Sequence, residues 1–240
     1  MPQKLSFVLR RRPELSREEF QQIWREEHAP FVQARADLIG CKRYVQARTE
    51  LDQEARPGRP EPFDGVAELW FDGSLRQGTA EEQAQAGREL LEDEARFIDL
   101  EASPLWMSEE RPVLEVGEGR RRLTYPLRRR PEMTREQFQQ YWWGTHGPLI
   151  REFAPPRLRR YVQVHTNANA ETHPGRAERN APPPFDGMAL LWYDDSLDGY
   201  PEDDVERIRT LIHEDEVKFI HHPESPVWMS VEHVIIDRQG

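Results

Sequence analysis

Arg10-Arg11-Arg12-Pro13-Glu14-Leu15-Ser16-Arg17-Glu18-Glu19-Phe20-Gln21-Gln22-Ile23-Trp24, running on to His28-Ala29-Pro30, occurs a second time in this chain. From Arg128 the sequence reads Arg-Arg-Arg-Pro-Glu-Met-Thr-Arg-Glu-Gln-Phe-Gln-Gln-Tyr-Trp and reaches His146-Gly147-Pro148. A repeat this long, with Arg, Pro, Phe, Trp and His kept in register, reports one structural unit used twice. In both copies Ser16 with Glu19, and Thr134 with Gln137, have the spacing in which two side chains cap each other's free backbone donors at a helix start. Phe20, Ile23, Trp24 and His28 then fall at i, i+3, i+4 and i+8, so the histidine shares the face that carries the aromatics. Phe138, Tyr141, Trp142 and His146 repeat the pattern. Pro30 and Pro148 do not fit an unbroken helix interior, and a kink is expected just after each histidine.

Outward from this helix, Leu5, Phe7 and Leu9 alternate with Ser6, Val8 and Arg10 as a half-buried strand does, and Leu123, Tyr125 and Leu127 follow suit. Pro126 removes a ladder donor from the second of these, so a bulge is expected there. A second strand, Arg43 to Ala47, recurs as Arg160 to Val164, with Tyr44 and Gln46 on one face. A third, Val66 to Phe71, recurs as Met188 to Tyr193. The connections Thr49 to Pro62 and Thr166 to Pro184 are long and rich in proline, and the longer is expected to be the more mobile. An amphipathic helix with the shared core Glu-Asp-Glu-x-x-Phe-Ile and a last strand close each copy. The order βαββαβ is the ferredoxin-like arrangement, with both helices on one face of an antiparallel sheet. The opposite face is too apolar to be left in water. The expected fold is therefore α+β: two fused ferredoxin-like units, residues 1–116 and 121–240, closing an intramolecular dimeric α/β barrel with the helices outside.

The bulk composition limits the function. With 33 Lys+Arg against 44 Asp+Glu the 240-residue chain carries a formal charge of −11, which repels nucleic acid and anionic membranes. Cys41 is the single cysteine, so no internal disulfide forms. No run approaches the roughly 18 apolar residues of a membrane span, and Met-Pro-Gln-Lys-Leu leads straight into a strand pattern. A cytoplasmic protein without nucleic-acid or membrane partners is expected, and further homodimerisation stays open.

These features together resemble the EthD family, a branch of the dimeric α/β-barrel superfamily, with the domain carried twice. The resemblance rests on the basic run before Pro13, on Phe20-x-x-x-Trp24-x-x-x-His28-x-Pro30, on Tyr44, and on Phe63-Asp64-Gly65 leading to Trp70-Phe71-Asp72. The second copy answers with Phe138, Trp142, His146, Pro148, Tyr161, Phe185-Asp186-Gly187 and Trp192-Tyr193-Asp194. It implies a link to ether degradation or to fungal polyketide pathways, where some members resemble dehydratases. Relatives on the same barrel include cofactor-free monooxygenases, lactone isomerases, aromatic cyclases and haem-handling enzymes. Fold analogy limits the substrate type more than the reaction.

His28 and His146 are the candidate acid/base residues, because imidazole is the side chain suited to proton transfer near pH 7 and each lies on an apolar helix face beside a proline. The plainer reading is that each ties down a carbonyl freed by the break. Glu68, on the strand face of Val66 and Trp70, has Leu190 as its counterpart. It could orient His28, or it could pair with a nearby arginine or reach solvent. Trp24, Tyr44, Trp70, Trp142, Tyr161 and Trp192 are candidates for an aromatic substrate pocket, although side chains of this kind more often serve only as core. Arg10 to Arg12 and Arg128 to Arg130 could grip an anion or remain solvated. His213, His221, His222 and His233 lack a recognised metal-ligand spacing, so neither metal nor cofactor is expected. The reading that follows is an enzyme acting on a hydrophobic carbonyl or phenolic compound as a dehydratase, isomerase or cofactor-free oxidoreductase. The alternative is a non-catalytic binding or accessory protein for a hydrophobic metabolite or haem.

Overall fold

The computed structural model describes residues 3–154, 157–194 and 202–238. Its eight strands are β1 (Gln3–Leu9), β2 (Cys41–Thr49), β3 (Gly65–Phe71), β4 (Leu105–Glu115), β5 (Arg121–Leu127), β6 (Leu158–Thr166), β7 (Gly187–Tyr193) and β8 (Trp228–Asp237). They close a barrel in the order β1-β3-β2-β8-β5-β7-β6-β4, and every ladder is antiparallel. Within each half the order is 4-1-3-2. The halves meet through strand edges, β2 on β8 and β4 on β6, rather than by stacking one sheet on the other. Closure by hydrogen bonding leaves no free edge, which removes the usual template for aggregation.

Alternation along the strands sends two different surfaces to the two sides. Val8, Ala47, Val66, Met188 and Leu190 fall in one buried cluster, inside the barrel, with Trp106 and Trp228. Phe7, Leu9, Tyr44 and Ala67 belong to another, outside it, under the first-half helices. The outer layer consists of α1 (Arg17–Ile23), α2 (Ala29–Gln33), α3 (Ala36–Ile39), α4 (Ala80–Glu94), α5 (Arg135–Tyr141), α6 (Gly147–Glu152), α7 (Pro174–Arg179) and α8 (Glu202–Glu216). Both expected capping boxes form. Ser16 N–H donates to Glu19 at 2.8 Å and Thr134 N–H to Gln137 at 2.8 Å, with the reciprocal bonds at 3.2 Å.

Two local expectations change. Pro126 causes no bulge: β5 runs in unbroken register against β7 through Pro126↔Met188, and only the ladder to β8 is cut short, at Thr124↔Trp228. Its first-half counterpart, Val8, donates to the Pro104 carbonyl at 2.9 Å, so the missing donor is the one that would have extended the outer ladder. Part of the connection from Thr166 to Pro184 forms the short helix α7, Pro174–Arg179.

The helix break lies before the proline, not after the histidine. Trp24–His28 and Trp142–His146 are single π-turns, in which Ala29 donates to the Trp24 carbonyl and Gly147 to that of Trp142. Such a turn widens the helix by one residue, a form common at functional sites. Gln46 on β2 donates to the Trp24 carbonyl at 2.8 Å, and Gln163 does the same for Trp142. Gly65 is required by the same packing, because a Cβ there would meet the Trp24 ring at 2.5 Å. The arginine run is structural too: Arg11 and Arg17 both bond Asp64, and Arg10 donates to the Pro62 carbonyl at 2.7 Å.

Candidate functional site

The first-half helices and the outer face of the barrel enclose a cavity of about 580 Å³. Leu5, Phe7, Leu9 and Leu69 supply its floor and Trp24, His28 and Tyr44 its inner wall. His28 is buried, and the π-turn directs its imidazole at α4, where Nδ1 lies 2.7 Å from a carboxylate oxygen of Asp93. A carboxylate accepts, so Nδ1 carries a proton and donates it to this bond, while Nε2 has no protein partner among the described residues. The hydrogen bond from His28 holds the Asp93 carboxyl below its ordinary range, with burial opposing and Arg96, 2.7 Å from the other oxygen, assisting. Trp24 Nε1 donates to the Tyr44 hydroxyl at 2.9 Å, and Gln46 donates to the same oxygen at 3.1 Å. Burial pushes the Tyr44 phenol up, so it stays neutral and has its own proton to give.

The second half repeats the dyad. His146 Nδ1 lies 2.9 Å from Asp215, and Tyr141, where the first half has Ile23, adds a hydrogen bond of 2.6 Å to the other oxygen. Burial works to raise the Asp215 carboxyl, yet the bonds from His146 and Tyr141 outweigh it and hold it at about 2. The space around His146 is tighter, about 150 Å³, and it shares a wall with a more open cleft of about 660 Å³. Each half covers the other. His173 to Arg179 of the second half close the His28 cavity, while Arg56 and Arg59 of the first half line the His146 cavity.

Of the residues singled out in the sequence, the structure brings together His28, Trp24 and Tyr44, and likewise His146, Trp142 and Tyr161. It does not bring Glu68 to His28. Glu68 points into the barrel, on the opposite side of β3 from the cavity, where Lys4 Nζ reaches it at 2.6 Å and Arg122 pairs with its other oxygen. Burial alone would raise the Glu68 carboxyl, but Arg122 and Lys4 reverse this and hold it at about 2. A steering role toward His28 is withdrawn, because strand alternation places residue 68 on the inner face. Trp70 and Trp192 follow it inward. Lys4 stands over the Trp70 ring at 4.6 Å, and Trp192 donates to Glu232 at 2.8 Å.

The residues missed were Asp93 and Asp215. A signal existed: both lie in the repeated Glu-Asp-Glu-x-x-Phe-Ile, and Asp93 is three residues after Leu90 and four before Phe97. A carboxylate on the buried face of a helix needs a partner.

A closed antiparallel barrel wrapped by helices, with a histidine–aspartate pair in a cavity of each half, places the chain among the α/β-barrel proteins. The EthD domain matches residues 12–101 and again residues 130–223, and the chain belongs to that family. No curated protein matches it. Among solved structures it is similar to a protein of Lactobacillus acidophilus NCFM provisionally named a monooxygenase, at 8% identity, with 99% of this chain and 96% of that one covered and a TM-score of 0.46. A protein of Fusobacterium nucleatum with the same provisional name is 9% identical over 98% and 92%, at a TM-score of 0.45. A third, provisionally named a chlorite dismutase, is 10% identical over 97% and 95%, at 0.49. No described helix is long and apolar enough to cross a membrane.

Proposed function

We propose that the chain is a small-molecule enzyme in which His28, oriented by Asp93, exchanges a proton with a hydrophobic carbonyl or phenolic substrate held in the first-half cavity. The observation that carries this reading is the division of labour at the π-turn. The Trp24 carbonyl at the π-turn already accepts from Ala29 N–H and from Gln46, so His28 is not needed to mend the helix. It is bonded instead through Nδ1 to a carboxylate, with Nε2 left for the cavity. An imidazole so arranged takes a proton at Nε2 while the aspartate stabilises the resulting cation, the ordinary division of roles in general-base catalysis. Tyr44 offers a neutral hydroxyl in the same cavity, suited to an oxygen that gains negative charge. Dehydration, isomerisation and cofactor-free oxidation all begin with such a proton abstraction. The residues 1–116 and 121–240 are, on this reading, two fused ferredoxin-like units of a cytoplasmic protein, the first adapted to take the larger ligand.

The experiment is turnover of a panel of hydrophobic phenols and enolisable ketones, with binding followed by tryptophan fluorescence. His28→Ala is expected to lower kcat by about 10²- to 10⁴-fold while ligand binding and melting temperature stay near wild type. Asp93→Asn, which upsets the tautomer, should lower kcat and displace the pH profile. His146→Ala should cost much less. Equal losses in the two histidine variants, or ligand binding with no turnover of any compound, would count against the assignment.

A further inference from the structure

The two halves treat one glutamate differently. Leu90-Leu91-Glu92-Asp93-Glu94 in α4 corresponds to Ile212-His213-Glu214-Asp215-Glu216 in α8, and Phe97-Ile98-Asp99-Leu100 to Phe219-Ile220-His221-His222. In the first half Glu94 receives Arg179 from the covering connection at 2.8 Å, so its charge is neutralised. In the second half no arginine among the described residues pairs with Glu216. Arg59, the nearest candidate, is committed to the Tyr125 hydroxyl and the Ser225 carbonyl. The two leucines, Leu91 and Leu100, have instead been replaced by histidines that converge on the glutamate. His222 Nε2 stands 3.5 Å from the Glu216 carboxylate, and the His213 and His222 rings lie 5.2 Å apart. One ligand atom from each of His213, Glu216 and His222 lies within 4.8 Å of the other two. His222 Nε2 is a buried atom that makes no hydrogen bond.

We propose that His213, Glu216 and His222 bind a divalent transition-metal ion, zinc or a chemically similar cation, at the boundary between the His146 cavity and the neighbouring cleft. Two imidazoles and one carboxylate are a borderline donor set, which selects zinc or iron over magnesium or calcium. Ligands about 2.0–2.1 Å from a tetrahedral ion sit roughly 3.4 Å from one another. The Glu216–His222 pair already has that spacing. His213 is exposed on the last turns of α8 with its ligand atom within 4.8 Å of the other two, and its side chain is free to change rotamer and close that distance. Three protein ligands leave a coordination position open. Glu216 lines both the cleft and the His146 cavity, so that position faces ligand space rather than protein. His221 takes no part, since it turns toward Glu224 at 3.7 Å. No sequence motif marks this cluster, because its two histidines are nine residues apart and meet only where the chain reverses after α8.

The test is titration of the full, chelator-treated chain with Zn²⁺ by calorimetry, and with Co²⁺ by its visible d–d absorption. One ion per chain with a dissociation constant of about 1 µM or tighter is expected. His213→Leu with His222→Leu restores the first-half residues and should weaken binding by more than about 100-fold, beyond what outer partners alone contribute. Glu216→Gln, which keeps the shape of the side chain, should weaken it and change the cobalt spectrum, and His221→Ala should leave both unchanged. Circular dichroism verifies that the leucine variant is folded, and Glu216→Gln decides the matter if it is not. Wild-type protein that takes up no ion below about 100 µM, or Glu216→Gln binding as tightly as wild type, overturns the site.

Discussion

Lys4, Glu68 and Arg122 are carried into the barrel by strand alternation, and their arrangement answers a question that the sequence could pose but not solve. Glu68 against Leu190 was visible as the position where the copies differ in kind. Lys4 comes from the same half, but its arginine partner was not visible, because Arg122 belongs to the other half and meets Glu68 only when the barrel closes. The same holds for His28: the imidazole was legible from its helical spacing, whereas Asp93 comes from an element 65 residues further along the chain. Removing Glu68 leaves two buried cations with one carboxylate each, Lys4 with Glu110 and Arg122 with Glu232, so Glu68→Leu is expected to destabilise the fold by up to about 3–5 kcal/mol in urea titrations and to leave the activity of the surviving folded protein intact. Because its folded pKa is held at about 2, below that of an unfolded glutamate, its contribution is present at neutral pH and is lost as pH falls through the acid range toward 2. The wild type should therefore lose stability on acidification over that window, and Glu68→Gln should show a smaller loss.

At the scale of elements the capping boxes, the helix starts and the strand faces were readable because they depend on neighbours three or four residues away. The π-turn was not. A proline after a histidine signals that a helix is broken, but the form of the break depends on a side chain from β2. Gln46 donates to both the Trp24 carbonyl and the Tyr44 hydroxyl, so it fixes the turn and the cavity wall together. Gln46→Leu keeps the bulk and removes both bonds. A loss of about 1–3 kcal/mol in stability is expected, the ordinary cost of leaving a buried polar group unmade. If the turn positions His28, kcat falls as well. Gln163→Leu provides the comparison, with the same loss of stability and little change in first-half turnover. Two variants that both lose stability and both keep first-half turnover would place Gln46 in the packing alone.

The barrel as a whole is closed by the seams β2·β8 and β4·β6, and both join one half to the other. Each half alone would expose the edges of β2 and β4, or of β6 and β8, as rows of unpaired backbone groups that invite association. It would also expose an inner face with a buried ionic network cut in two. Only the mixed pair brings Arg122 to Glu68, and only it covers the His28 cavity with α7 and the His146 cavity with Arg56 and Arg59. Fusion in one chain fixes this pairing at high effective concentration. Residues 1–116 and 121–240, produced separately, should each self-associate or precipitate, and on mixing should give a 1:1 complex by native mass spectrometry. Glu68→Leu in the first fragment should weaken that complex, since the replaced charge bridges the seam. A first fragment that stays monomeric and soluble would mean that its inner face and strand edges need no cover, and protection from self-association would then be ruled out as the reason the two halves are joined.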